Sequence, residues 1–192
     1  MRIMSLKKQI PLLACRQGVS IIEFAIIAPV LLLFLIGFME LSLMLFTYAI
    51  LEGATNVGSR IGKTGYTESG ITREQYIRSE VERLSAGFLD HNKLNVSILA
   101  YDSFGNVGRP ESYFDANGNG QYDENETFID SNGNGKWDAD RGASSAGGGQ
   151  DVVLYRVSYP WDVFTPLMRG ILGDKSGTVT ISSIATVRNE KF

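Results

Sequence analysis

Residues 24–39 carry no charge, and apolar character resumes after Glu40 as far as Leu51. A helix over residues 19–51 is about 50 Å long at 1.5 Å per residue. That exceeds the ~30 Å hydrocarbon core of a bilayer, so the helix spans the membrane and projects beyond it on one side. Arg2, Lys7, Lys8 and Arg16 precede it with no acid among them. Their charge places the N-terminus in the cytoplasm and the C-terminal part across the membrane. This segment excludes a soluble enzyme. Pro29 removes one helical hydrogen bond, a defect that membrane helices tolerate.

Gly18 is followed by Val19-Ser20-Ile21-Ile22-Glu23. An ionised carboxylate in or near hydrocarbon is costly unless it is paired. Cleavage after Gly18 would create an α-amine at Val19, one helical turn from Glu23 on the same face. With a reference pKa of about 8, that amine is mostly charged near neutrality and can neutralise Glu23 in its own or a neighbouring helix. The competing expectation is a glutamate that reaches water at the membrane edge. Glu40 marks either the outer interface or a contact between assembled helices. Cys15 is the sole cysteine, so no internal disulfide forms. Leu12-Leu13-Ala14-Cys15 resembles a lipobox, but the apolar stretch from Ile10 to Ala14 is shorter than the 7–15 residues of a secretory signal.

Arg16-Gln17-Gly18-Val19-Ser20-Ile21-Ile22-Glu23-Phe24-Ala25, then Pro29, Leu31-Leu32-Leu33, Gly37 and Glu40-Leu41, resembles the N-terminal domain of TadE-like proteins. These are pseudopilins of tight-adherence, Flp-type pilus systems. Ala54-Thr55-Asn56 with Ser59-Arg60 resembles the stretch after the helix, and residues 180–190 resemble the family's closing strand. The resemblance implies a leader over residues 1–18, cut after Gly18 by a prepilin peptidase. It also implies possible methylation at Val19 and assembly with other pilins or pseudopilins and platform proteins. The acidic segment at 115–140 departs from the family's usual pattern.

Residues 52–192 form the exported domain. Gly53 to Gly70 reads as frayed helix passing into a linker. Thr72 opens an amphipathic helix, with Gln75 at capping-box spacing and Ile77, Val81, Leu84 and Phe88 on one face. Residues 94–98, 153–159 and 178–187 read as strands, with Arg156 and Ser158 on a polar face. Residues 160–172 form a short helix or loop over the sheet. The expected class is α+β: a long transmembrane helix, a second helix and a small antiparallel sheet interrupted by an irregular Asn/Asp/Gly metal-loop insert.

That insert, at 113–141, repeats with a 15-residue offset. Asp115-Ala116-Asn117-Gly118-Asn119-Gly120-Gln121-Tyr122-Asp123 matches Asp130-Ser131-Asn132-Gly133-Asn134-Gly135-Lys136-Trp137-Asp138. Oxygens at positions 1, 3, 5 and 9, a carbonyl at 7 (Gln121, Lys136) and glycine at 6 suit a structural Ca2+. Glu126 falls at position 12 of the first loop, whereas the second has Arg141 there and Asp140 one residue early. The first loop therefore reads as the better site. The spacing leaves no room for EF-hand helices and looks more like thrombospondin type 3 or dockerin repeats. Tyr122 and Trp137 share position 8 and could stack. A metal-free Asx-turn loop is the competing expectation. Residues 142–149 read as a flexible tether.

The leader's charge is +4 and the remainder's −7, with eight acids and one lysine at 111–140. This excludes a nucleic-acid surface. The single histidine, His91, sits in a polar turn, and no nucleophile elbow or phosphate loop is present. The expected role is non-enzymatic: a minor pseudopilin or assembly component, or an uncleaved, membrane-anchored calcium-dependent adhesion or sensing module. Its partners are the bilayer, the peptidase and other pilus subunits.

Overall fold

The computed structural model describes residues 19–192, apart from the side chains of Val19 and Leu167. The basic leader, Cys15 and Gly18 lie outside the described residues. Helix α1 runs unbroken from Val19 to Thr64, with Pro29 inside it. At 1.5 Å per residue it is about 69 Å long. It is long and apolar enough to cross a membrane. Ile21, Ile22, Phe24, Ile26 and Ile27 are 61–72% exposed, as a lipid-facing stretch requires.

The expected fraying after Gly53 does not occur. Leu51, Ala54, Thr55 and Ser59 are buried, and this face packs on the rest of the domain. Gly58 lets the next helix, α2 (Arg73–Ser85), approach closely, since a Cβ there would meet Ile77 and Val81 at 3.2 Å. Glycine costs a helix about 1 kcal/mol relative to alanine. Here close packing offsets that cost. The helix stops at Gly65, whose φ of +71° and N–H to the Gly62 carbonyl end the last turn.

Helix α2 spans Arg73–Ser85, capped by the expected reciprocal pair of Thr72 and Gln75. Ile77 and Val81 are buried. Leu84 is exposed, and Phe88 lies beyond the helix end, where its ring meets Phe46 edge-on. The expected four-residue apolar face is therefore only half used inside the domain.

Strands β1 (Asn95–Tyr101), β2 (Val152–Asp162) and β3 (Thr178–Arg188) form an antiparallel sheet in that order. Val96 faces Val157, Ile98 faces Tyr155 and Ala100 faces Val153 across the first pair. These residues, with Leu51, Ala54, Ile77, Val81 and Ile181, make the main core under α1 and α2. The opposite face is not wholly polar. Tyr101, Val152 and Leu154 form a second, small core with Leu99 and Val107.

Residues 142–149 are not a free tether. Ala143 forms a β-bridge with Ala100. Ala146 is fully buried; its N–H donates to Glu74 at 2.7 Å, and its carbonyl accepts from Asn189 at 2.9 Å. Arg73 donates to the Gly147 carbonyl. Small residues here allow close packing, which composition alone cannot distinguish from flexibility. Helix α3, Pro166–Leu172, follows β2, which itself includes Pro160–Asp162.

Candidate functional site

The two Asn/Asp/Gly segments fold into near-identical loops. In the first, Asp115 accepts from the N–H groups of Gly118, Asn119 and Gly120 at 2.7–3.2 Å. Asn117 and Asn119 accept from Asn119 N–H and Gln121 N–H, and both amides donate to Asp123 at 2.7 and 2.9 Å. The second loop repeats every bond: Asp130 takes Gly133, Asn134 and Gly135, and Asn132 and Asn134 donate to Asp138. Gly120 and Gly135 have φ of +73° and +77°, which a side chain rarely adopts. The N–H groups of Gly135, Gly133 and Asn134 hold the Asp130 carboxyl below its ordinary range, against desolvation.

Glu126 is buried, and its carboxylate accepts from Ala116 N–H at 2.8 Å and Asp123 N–H at 3.2 Å. Its counterpart in the second loop is Glu111, which the sequence reading missed. Glu111 is 1% exposed and accepts from Ser131 N–H at 2.6 Å and Asp138 N–H at 3.2 Å. The available signal was the repeat itself, because Glu111 and Glu126 share its 15-residue offset and each precedes its aspartate by four. Glu111, at the head of the first loop, closes the second; Glu126, at the head of the second, closes the first. Arg141 is occupied elsewhere, donating to the Pro110 carbonyl. The expected ranking of the first loop over the second therefore has no counterpart in the fold.

The exchange gives the insert a local pseudo-twofold. Tyr113 bridges Phe128, Phe114 N–H donates to Thr127 O, and Ile129 N–H donates to Ser112 O. Tyr122 and Trp137 stack across this axis at 4.6 Å and 11°, as their shared loop position predicts. Tyr113 stands edge-on to both. Tyr101 ties the unit to β1 by donating to Asp140 at 2.8 Å. Burial, then that bond and the charge of Asp140, push its phenol up to about 12.

Each loop thus brings two carboxylates and two side-chain amides together, with the carbonyl of Gln121 or Lys136 alongside in sequence. Among the described residues, no group of three or more His, Cys, Asp or Glu is placed to hold a metal ion. In each loop the two amide NH2 groups face the second aspartate, whose carboxylate oxygens keep further lone pairs. Replacing Glu111 with alanine should cost about 1–3 kcal/mol for each donor left unpaired. Melting followed by Trp137 fluorescence checks this, with exposed Glu124→Ala as the control. Equal melting of the two variants would show that Glu111 does not hold the loops together.

At the other end of the molecule, Glu23 lies exposed in the first turns of α1, in the same helix as Val19. Glu40 is fully buried, and its use lies inside the chain. Its carboxylate accepts from Phe164 N–H at 2.9 Å and Thr165 N–H at 3.2 Å.

No curated protein and no solved structure matches the chain. A family model described as TadE-like protein matches residues 18–60, from the start of α1 almost to its end. The match stops short of the insert and of β3. It suggests TadE/pseudopilin membership on the strength of the helix that opens the described chain.

Proposed function

We propose that this chain is a minor pseudopilin or assembly component of a Tad-type pilus or related secretion system, cleaved after Gly18. The observation that carries this reading is the family match over residues 18–60, which coincides with one long apolar helix bearing Glu23 near its start. The match also points to a non-catalytic role. The helix anchors the precursor in the inner membrane, N-terminus inside, and later packs against other pilins. Glu23 sets register against a Val19 amine.

The deciding experiment is the N-terminus of the protein from native membranes, by intact mass and terminal sequencing. A start at Val19 supports processing. A start at Met1 favours the uncleaved adhesion or sensing anchor, and a lipidated Cys15 overturns both. Glu23→Val should insert normally yet lose filament incorporation. Normal incorporation of that variant would refute the charge pairing.

The insert is a structural Ca2+ unit in this reading. Asp115, Asn117, Asn119, Asp123 and the Gln121 carbonyl would hold one ion, with Glu126 closing the loop. Asp130, Asn132, Asn134, Asp138 and the Lys136 carbonyl would hold a second. What supports it is the repeated placement of Asp and Asn at positions 1, 3, 5 and 9 in both copies, with left-handed glycine at position 6. Extracellular sites of this kind bind weakly, with Kd of about 10⁻⁴ to 10⁻³ M. At about 10 mM calcium, each site should then stabilise the domain by roughly 1.4–2.7 kcal/mol. Thermal melting with calcium and after chelation tests this. Identical curves, or an unchanged calcium response in an Asp115→Ala, Asp130→Ala double variant, would remove the ion from the account.

A further inference from the structure

We propose that helix α3 is a membrane foot: a short apolar element that dips into the outer leaflet beside α1 and fixes the tilt of the exported domain. This rests on the reading of α1 as a transmembrane anchor. Thr165 sits at the Glu40 carboxylate, whereas the Met168 side chain lies against Gly37, where an added Cβ would meet its Cε at 2.9 Å. Helix α3 therefore descends along α1 toward the membrane-spanning part. Gly37 is 18 residues beyond Val19, about 27 Å along the helix. That lies within the ~30 Å of a hydrocarbon core that begins at the start of α1.

The composition of the element fits that depth. From Val163 to Gly173 the only charge is Arg169, and acids appear only outside, at Asp162 and Asp174. Met168, Ile171 and Leu172 share one face by their i, i+3, i+4 spacing. Ile171 is 67% exposed, and Leu172 and Phe164 are also open to the surroundings. Met168, Phe34, Gly37, Phe38 and Leu41 line an apolar groove of about 180 Å³ between the two helices. Arg169 turns back, donating to the Val163 carbonyl at 2.9 Å, which suits a cation at the headgroup level. Continuity with the spanning part of α1 selects lipid as the occupant, because the groove that joins the two helices is lined by apolar residues from both.

The full chain with Cys15→Ser, reconstituted in phosphatidylcholine and phosphatidylglycerol vesicles, tests this. An environment-sensitive fluorophore is placed in turn at Leu33→Cys, Ile171→Cys and Asn119→Cys, and quenched by doxyl-labelled lipid or by aqueous iodide. The expected result is lipid quenching and blue-shifted emission at 33 and 171, with 119 quenched by iodide alone. Quenching at 33 but iodide access at 171 leaves the anchor intact and overturns the foot. Iodide access at 33 overturns the anchor reading, and the foot with it. Shielding at 171 from both quenchers that disappears as protein is diluted in lipid assigns the surface to a second copy of the chain and overturns the foot.

Discussion

Replacing Glu40 with alanine should release α3 and residues 163–165 from α1. The Glu40 carboxylate is fully buried, and both oxygens are taken up by the N–H groups of Phe164 and Thr165. Removing it leaves two donors unpaired, at about 1–3 kcal/mol for the buried Thr165 N–H and less for the part-buried Phe164 N–H. Glu40→Gln should cost less, because its amide oxygen can still accept one of the bonds while its NH2 faces the other donor. Amide hydrogen exchange at Phe164 and Thr165 reads the contact directly, and tryptic cleavage after Arg169 reads release of the helix. Exchange at these two amides should rise steeply in Glu40→Ala and moderately in Glu40→Gln. Unchanged exchange in Glu40→Ala would mean that the loop is held by other contacts and that the carboxylate serves something else.

The second large effect is expected at Gly62, on the face of α1 that meets the sheet. A Cβ at this position would lie 1.9 Å from the Tyr155 hydroxyl and 2.6 Å from Cζ. Tyr155 is 1% exposed and central to the core, so neither ring nor helix can yield cheaply. Gly62→Ala gains about 1 kcal/mol of helix propensity but overpacks the core at a typical cost of about 1–3 kcal/mol, more where backbone must move. The net loss should lower the melting temperature, by roughly 2–4 °C per kcal/mol for a chain of this size. Tyr155→Phe alone should be neutral or stabilising, because its hydroxyl is buried with no hydrogen-bond partner among the described residues. Burial pushes that phenol up to about 12, with Arg73 opposing and Glu74 adding to the rise, so it stays neutral. The double variant should recover only part of the loss, since Cζ remains too close. A higher melting temperature for Gly62→Ala would show that the helix and sheet are farther apart than described.

Helix existence, capping and strand placement were legible because each depends on neighbours in sequence. The 16-residue uncharged run announces α1, and the Thr72–Gln75 pair announces α2. Alternation around Tyr155 announces β2, and two aromatics at matching loop positions announce the stack of Tyr122 on Trp137. Local rules failed where small residues had two meanings. Gly58, Gly62 and Ala146 carry the composition of linkers, yet they sit where other segments pack closely against them.

Sequence by itself determined the apolar helix, the α+β order of elements and the repeated oxygen-rich loops, because periodicity and spacing encode these directly. Only the tertiary structure decided that Glu111 closes the second loop, that Glu40 holds α3, and that α1 continues to Thr64. Each of these depends on a partner 20 to 125 residues away, or on a packing surface contributed by other elements. The free energy of a buried carboxylate or a helical glycine is set by that partner, and no window of neighbouring residues contains it.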